Sequence, residues 1–210
     1  KAKQDSFYGA QLEASFVPKM KRAFEVDLEC SILNIQSKQT PNNLNPGPFQ
    51  ARHRYVGSGT NEVIALNDLA YAKYALDRAN VPMRNRIGIV DPSQELVFNK
   101  LLSAQQINTA TTTPRWDGLV NSGFAPDMHF LVSLFGFDIY MSNYLADANE
   151  TINGGTTTAG KANIFFSADP SVRTFIGAWR QMPNVESSRN KDYFRDEYVF
   201  SSRYGLDLYR

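Results

Sequence analysis

The sequence predicts an α+β fold, and three observations predict it. A long amphipathic helical pattern opens the chain, short helix and strand signals mix in its middle, and an aromatic, β-rich stretch ends it. The 210 residues suffice for one compact domain or two small ones. Hydrophobic residues make up 42% and charged residues 20%, enough for a packed core and too few charges for a disordered polyelectrolyte.

The helical pattern comes first. Val17, Met20, Phe24, Leu28, Ile32 and Ile35 recur at steps of three and four and form one apolar stripe. Ser15 is a candidate cap and Pro18 interrupts the pattern, so the expected helix starts near Phe16 or Val17 and runs to Gln39. At the standard rise it would span about 35 Å. A single narrow stripe on so long a helix leaves about half its circumference wet or free to meet a neighbour.

Residues 40–60 are rich in Pro, Asn and Gly and read as an irregular connection between two units. A helix follows on Leu69, Ala72, Leu76 and Ala79, capped by Asn67 or Asp68 and ended before Pro82. Arg86 to Val90 reads as a short buried strand. Asp91-Pro92-Ser93 then supplies an N-cap and a first-turn proline for a helix through about Leu102. Thr113-Pro114 gives the same start signal for a short helix ending near Gly118 or Gly123. Phe130 to Ser142 reads as one strand bent near Gly136, Asp147 to Gly160 as a polar exposed loop, and Ile164 to Phe166 as a strand before an Asp169-Pro170-Ser171 turn. Two strands near 174–180 and 196–209 end the chain, with Tyr198, Phe200, Ser202 and Tyr204 on one face of the last.

Catalytic and cofactor sites fail on inventory, and no catalytic, cofactor-binding or metal-binding residue is assigned. His53 and His129 lie in different segments without metal-ligand spacing to Cys30, the single cysteine, which suits burial as a small hydrophobe. Asp127 and His129 could share a face, but a turn residue beside a partly buried imidazole explains them as well. The chain has no Gly-x-Ser-x-Gly elbow and no phosphate loop, and Gly57-Ser58-Gly59 is an isolated turn. The sequon Asn149-Glu150-Thr151 carries no meaning without a secretory context. A net charge of +1 argues against broad capture of nucleic acid or anionic membrane. No apolar run is long enough to span a bilayer, and Lys1 to Asp5 has none of the character of a signal peptide or anchor. These features suit a structural building block better than a catalyst.

The order of the segments resembles the major capsid protein of tailed bacteriophages, the Hong Kong 97-like fold. The helix Val17 to Gln39 is similar to that family's spine helix. Leu66-Asn67-Asp68-Leu69 through Val81-Pro82 to Arg86-Ile87-Gly88-Ile89-Val90-Asp91-Pro92 resembles its axial-domain helix and strand. Gly136 to Asn143 and the closing run from Arg195 to Arg210 resemble further strands of that fold. The family's N-terminal arm and extended hairpin loop have no counterpart in the dozen residues before the expected helix.

The resemblance implies a peripheral-domain segment over residues 1–60, an axial domain over 61–175, and return strands of the peripheral domain over 176–210. It also implies a non-enzymatic coat protein without cofactor, self-assembling through pentamers and hexamers into an icosahedral shell around double-stranded DNA that it does not read by sequence. Scaffolding, portal and decoration proteins would be its further partners. Its place would be the virion, after assembly in the bacterial cytoplasm, with no membrane involved. An encapsulin-like cargo compartment shares the architecture. A small hydrolase with an unrecognised carboxylate pair, or a minor virion protein, represents other classes.

The exposed face of the long helix and the charged residues Arg189, Lys191, Asp192, Arg195, Asp196 and Glu197 are expected to meet neighbouring subunits, with the 147–160 loop at the outer or axial rim. Replacing Arg195 and Glu197 together is therefore expected to impair assembly and leave the subunit folded. Particle yield and salt tolerance, with circular dichroism as the folding control, test this.

Overall fold

The computed structural model describes residues 2–35, 53–59, 63–98, 130–149, 151–152, 155–156 and 160–209. Among these, a long helix, a mixed four-stranded sheet with its own helix, and a long two-stranded ribbon build the molecule.

Helix α1 (Ala2–Leu33) has 32 residues, about 48 Å at the standard rise. It begins well before the expected start, so Pro18 lies inside it. A proline removes one backbone donor and crowds the preceding turn, yet the helix continues through it. The helix also stops sooner than expected, at Leu33, where the chain turns and buries Leu33 and Ile35.

Helix α2 (Leu66–Arg78) begins three residues before the expected Leu69. Its N-cap is Ala65, not Asn67 or Asp68, and an alanine side chain offers no acceptor. Asp68 acts from inside the first turn instead. Its Oδ2 accepts from the backbone N–H groups of Ala65 and Ser58, each at 2.8 Å. This reach back to the cap amide is the carboxylate half of a capping box, and the Ser58 bond ties the 53–59 segment to the helix. At the other end Asn80 adopts φ 54°, with Asn80 N–H donating to Asp77 O and Val81 N–H to Leu76 O. That pairing is a Schellman closure, and Pro82 follows where the helix cannot resume.

Strand β1 (Arg86–Val90) lies where expected and is central in the mixed sheet. Residues 93–98 are helical behind an Asp91 cap, with Asp91 Oδ2 accepting from Ser93 N–H at 3.0 Å. The expected continuation to Leu102 and the Thr113-Pro114 helix lie outside the described residues. The stretch read as one bent strand is two strands, β2 (Phe130–Leu134) and β3 (Phe137–Met141), paired antiparallel around a two-residue turn. Phe135 and Gly136 both take positive φ, 53° and 84°. This backbone matches strand twist and closes a tight hairpin, where a type I or II turn would splay the strands.

The 147–160 stretch is more ordered than a loop. Strand β4 (Asp147–Ala148) pairs with β7 (Gly160–Lys161), and β5 (Thr151–Ile152) with β6 (Gly155–Thr156). Strand β8 (Ile164–Ser167) completes the sheet in the order β2-β3-β1-β8, with β1 parallel to β3 and antiparallel to β8. Asp169 then closes a turn by accepting from both the N–H and the hydroxyl of Ser171.

The register sorts the sheet's two faces. Arg86, Gly88, Val90, Phe137, Ile139 and Phe165 share one face, which packs with Leu69, Ala72, Leu76, Ile64 and Phe98 into the core. Ile87, Ile89, Tyr140 and Phe166 share the other, and all remain half-buried. Arg86 is 2% exposed at the α2 end of the core. Its guanidinium binds Val81 O, Pro82 O and, at 2.6 Å, Asp77 Oδ1. A charge this buried needs such partners, and these three lock the end of α2 to the start of β1.

Gly88 is the tightest point of this packing. A Cβ there would sit 2.7 Å from Phe165 Cε1, whose ring also meets Phe137 edge-on at 5.3 Å. Gly88→Ala is expected to cost about 1–3 kcal/mol through overpacking, read as a lower urea midpoint.

Candidate assembly surface

Strands β9 (Phe175–Asn190) and β10 (Arg195–Leu208) form a long ribbon; β10 lies where a strand is expected, and β9 runs well past the expected 174–180 because its later residues continue the pairing up to Asn190↔Arg195. The register shifts between Ser201 and Tyr204, opposite the stretch that carries Pro183. Proline has no N–H for a ladder, and a strand irregularity is where a sheet tolerates it.

The register assigns the ribbon's faces. Phe175, Trp179, Val185, Phe200 and Tyr204 point to the side of α1, and Ile176, Glu186, Val199 and Arg203 to the other. Phe24 of α1 stands among Trp179, Phe200 and Tyr204, with ring centroids at 6.0, 5.2 and 6.1 Å. One turn on, the Tyr204 hydroxyl donates to Asp27 Oδ2 at 3.0 Å. That uses its only proton, so Ser31 Oγ, 3.1 Å away, is the donor in its own bond to Tyr204. At the base Phe175 packs edge-on against Phe166 of the mixed sheet at 4.9 Å.

Helix α1 meets the mixed sheet on a different stripe. Ser142 Oγ donates to Glu29 Oε1 at 2.6 Å. Between them Leu28, Ile32 and Leu33 of the helix and Ile87, Ile89, Tyr140 and Phe166 of the sheet wall a cleft of about 610 Å³. Two carboxylates, Glu25 and Glu29, stand on its helical side.

Among the described residues the ribbon has little cover beyond α1. Both its strands are edges, and more than half of the large hydrophobic side chains exposed among the described residues lie within 175–208. Tyr193 and Phe194, in the turn at its tip, are 71% and 86% exposed. Such a concentration of apolar surface and open edges marks an interaction surface.

The charged residues expected to meet neighbours map to this tip. Lys191 and Asp192 lie in the turn, Arg189 is registered opposite Asp196, and Glu197 Oε1 accepts from Asn190 Nδ2 at 2.9 Å. Glu197 is therefore engaged within its own hairpin. The aromatic pair beside it went unremarked in the sequence, although Tyr193-Phe194 between charged residues was the available signal.

Among the described residues, those weighed for chemistry do not converge. His53 lies in the 53–59 segment, and burial lowers its pKa below the ordinary imidazole value. His129 and Asp127 lie outside the described residues. Tyr55 donates to Asp68 O at 2.6 Å, and its pKa is raised by burial first, then by the Asp68 and Tyr71 charges, which suits a structural hydroxyl. Among the described residues no three His, Cys, Asp or Glu side chains gather to hold a metal, and no helix is long and apolar enough to cross a membrane.

No protein-family model matches the sequence, and no curated protein matches it. Solved structures do match the fold. A chain from Mycobacterium phage Che8 superposes with a TM-score of 0.60 at 21% identity, over 94% of this chain and 59% of that one. A chain from the capsid structure of the cyanophage P-SCSP1u gives 0.56 at 13% identity, over 94% and 62%. The mixed helix and strand fold is thus of a phage capsid type. The chain spans about three-fifths of the length of each of these neighbours.

Phe24→Ala is expected to cost about 2 kcal/mol, below the range for a fully buried ring because Phe24 is half-buried. Hydrogen exchange should show the loss locally, with protection falling around Trp179 and Tyr204 and holding in β1 and β3.

Proposed function

We propose that the chain is a structural subunit of a phage capsid with the Hong Kong 97-like architecture, many copies of which tile an icosahedral shell around double-stranded DNA. The observation that carries this reading is the cyanophage capsid chain, whose fold extends over 94% of these residues. The exposed apolar ribbon supports it, since one copy leaves that surface uncovered.

On this reading α1 is the spine of the peripheral domain, β9 and β10 are its return strands, and the mixed sheet with α2 is the axial domain. Heterologous contacts between copies close into rings where the rotation permits. Each is modest, and a subunit held by several neighbours leaves only when all are broken. The +1 net charge keeps like-charge repulsion between packed subunits small. The same shell could enclose protein cargo instead of DNA.

Purified protein carrying this chain is expected to form closed shells or rings in electron micrographs, with nuclease-protected DNA inside particles recovered from infected cells. Protein cargo in place of DNA would favour a compartment, and a species that stays monomeric at high concentration would overturn the proposal.

A further inference from the structure

The ribbon joins the mixed sheet by two routes that differ in how firmly they hold. One runs through α1, which meets the sheet at the Glu29–Ser142 bond above an open cleft of about 610 Å³. The other is the chain itself, residues 168–174, crossing from β8 to β9 at the ribbon's base.

That crossing is densely tied. Ala168 N–H donates to Asn85 O at 2.8 Å, Asp169 N–H to Ser167 Oγ at 3.2 Å, and Val172 N–H to Asp169 O at 3.0 Å. Thr174 Oγ1 donates to Ser167 O at 3.1 Å, and Tyr209 N–H, just past β10, donates to Thr174 O at 2.9 Å. Asp169 is the centre of the corner. It is 6% exposed, and its Oδ1 accepts from the N–H and the hydroxyl of Ser171 at 2.9 and 2.6 Å. Arg84, 3.9 Å from Oδ2, is exposed and adds little. A buried carboxylate needs its donors, so the two Ser171 bonds hold the turn in one arrangement. Arg84 and Asn85 directly precede Arg86, whose guanidinium is locked to the end of α2. The corner is thereby keyed to the rigid core.

The ribbon is a lever on this corner. The 16 residues of β9 span roughly 50 Å at about 3.3 Å per residue, so a tilt of about 5° at the base moves the tip by about 4 Å. A gap of only about 1 Å already forfeits much of a packing contact, and heterologous contacts close into rings only at the right rotation. Resting on the capsid reading above, we infer that Asp169 is a positioning residue. It fixes the angle between ribbon and mixed sheet, and with it the rotation at which neighbouring copies close into a shell.

The angle is read in the unassembled full chain. In a Cys30→Ser background, nitroxide labels on Leu96→Cys and Val199→Cys, both at exposed positions, report the distance between the helix beside the sheet and the ribbon. Asp169→Ala removes the acceptor of both Ser171 bonds, and the distance distribution is expected to broaden at least twofold. Asp169→Asn keeps an oxygen for them and is expected to retain the narrow distribution. Thr174→Val, which cuts a second tie of the corner without touching Asp169, is expected to broaden it as well and serves if Asp169→Ala does not fold. Ser142→Ala, which cuts the α1 route, is expected to leave it narrow. A narrow distribution in both corner variants, or broadening by Ser142→Ala to the same extent, overturns the inference.

In particles, Asp169→Ala is expected to give open sheets or a spread of diameters at least twice that of the unmodified chain, with Asp169→Asn restoring the unmodified diameter. Broadened distances in chains that still close into particles of unmodified diameter overturn the link to the shell and leave the capsid reading standing. Failure of the unmodified chain to assemble overturns that reading and the shell consequence together, while the distances still decide the role of the corner.

Discussion

The structure depends on one helix serving two sheets at once. Along α1, Phe24, Asp27 and Ser31 address the ribbon, while Leu28, Glu29 and Ile32 address the mixed sheet. Residues three and four apart on a helix share a side, so two neighbouring stripes a fraction of a turn apart give the helix two partners. The ribbon needs this more than the sheet does. A two-stranded hairpin is marginal alone in water, and the aromatic cluster around Phe24 supplies the apolar packing that a third strand or second layer would otherwise give. The Tyr204 hydroxyl, between Asp27 and Ser31, fixes the rotation of helix against ribbon where ring packing alone would leave it loose.

The mixed sheet treats its two faces unequally. The α2 face is closed, with Leu69, Val90, Phe137 and Ile139 wholly buried and Arg86 held by Asp77 and two carbonyls. That arrangement has one geometry, because moving α2 would strand a buried guanidinium. The α1 face is held by the Glu29–Ser142 bond and by side chains that stop short of filling the space between. A rigid core thus lies beside an incompletely filled face.

The distribution of apolar surface points the same way. A chain with 42% hydrophobic residues could cover its aromatics, yet Trp179 and Tyr198 are only partly covered and Tyr193 and Phe194 are largely exposed. Open strand edges along 16 and 14 residues compound that exposure. The likeness in fold to the phage structures extends over this ribbon, since it covers 94% of the chain.

Much of this was legible in the residues themselves. The stripe from Val17 to Ile32 gave the long helix, Arg86 to Val90 gave the buried strand, and Asp91-Pro92-Ser93 gave a helix start, because periodicity and capping act over a few residues. The same local rules misjudged the start of α1 at Pro18 and read Phe135-Gly136 as a bend, since neither position announces whether the chain continues or reverses. The capping role of Asp68 needed the Ala65 and Ser58 amides to converge on it. Above all, the extension of β9 to Asn190, the cleft beneath α1 and the exposure of Tyr193 and Phe194 belong to tertiary structure alone. Strand register is set by pairs such as Arg86 with Ser167, and the placing of a helix across two sheets by contacts as distant as Phe24 with Phe200, and no local pattern carries that information.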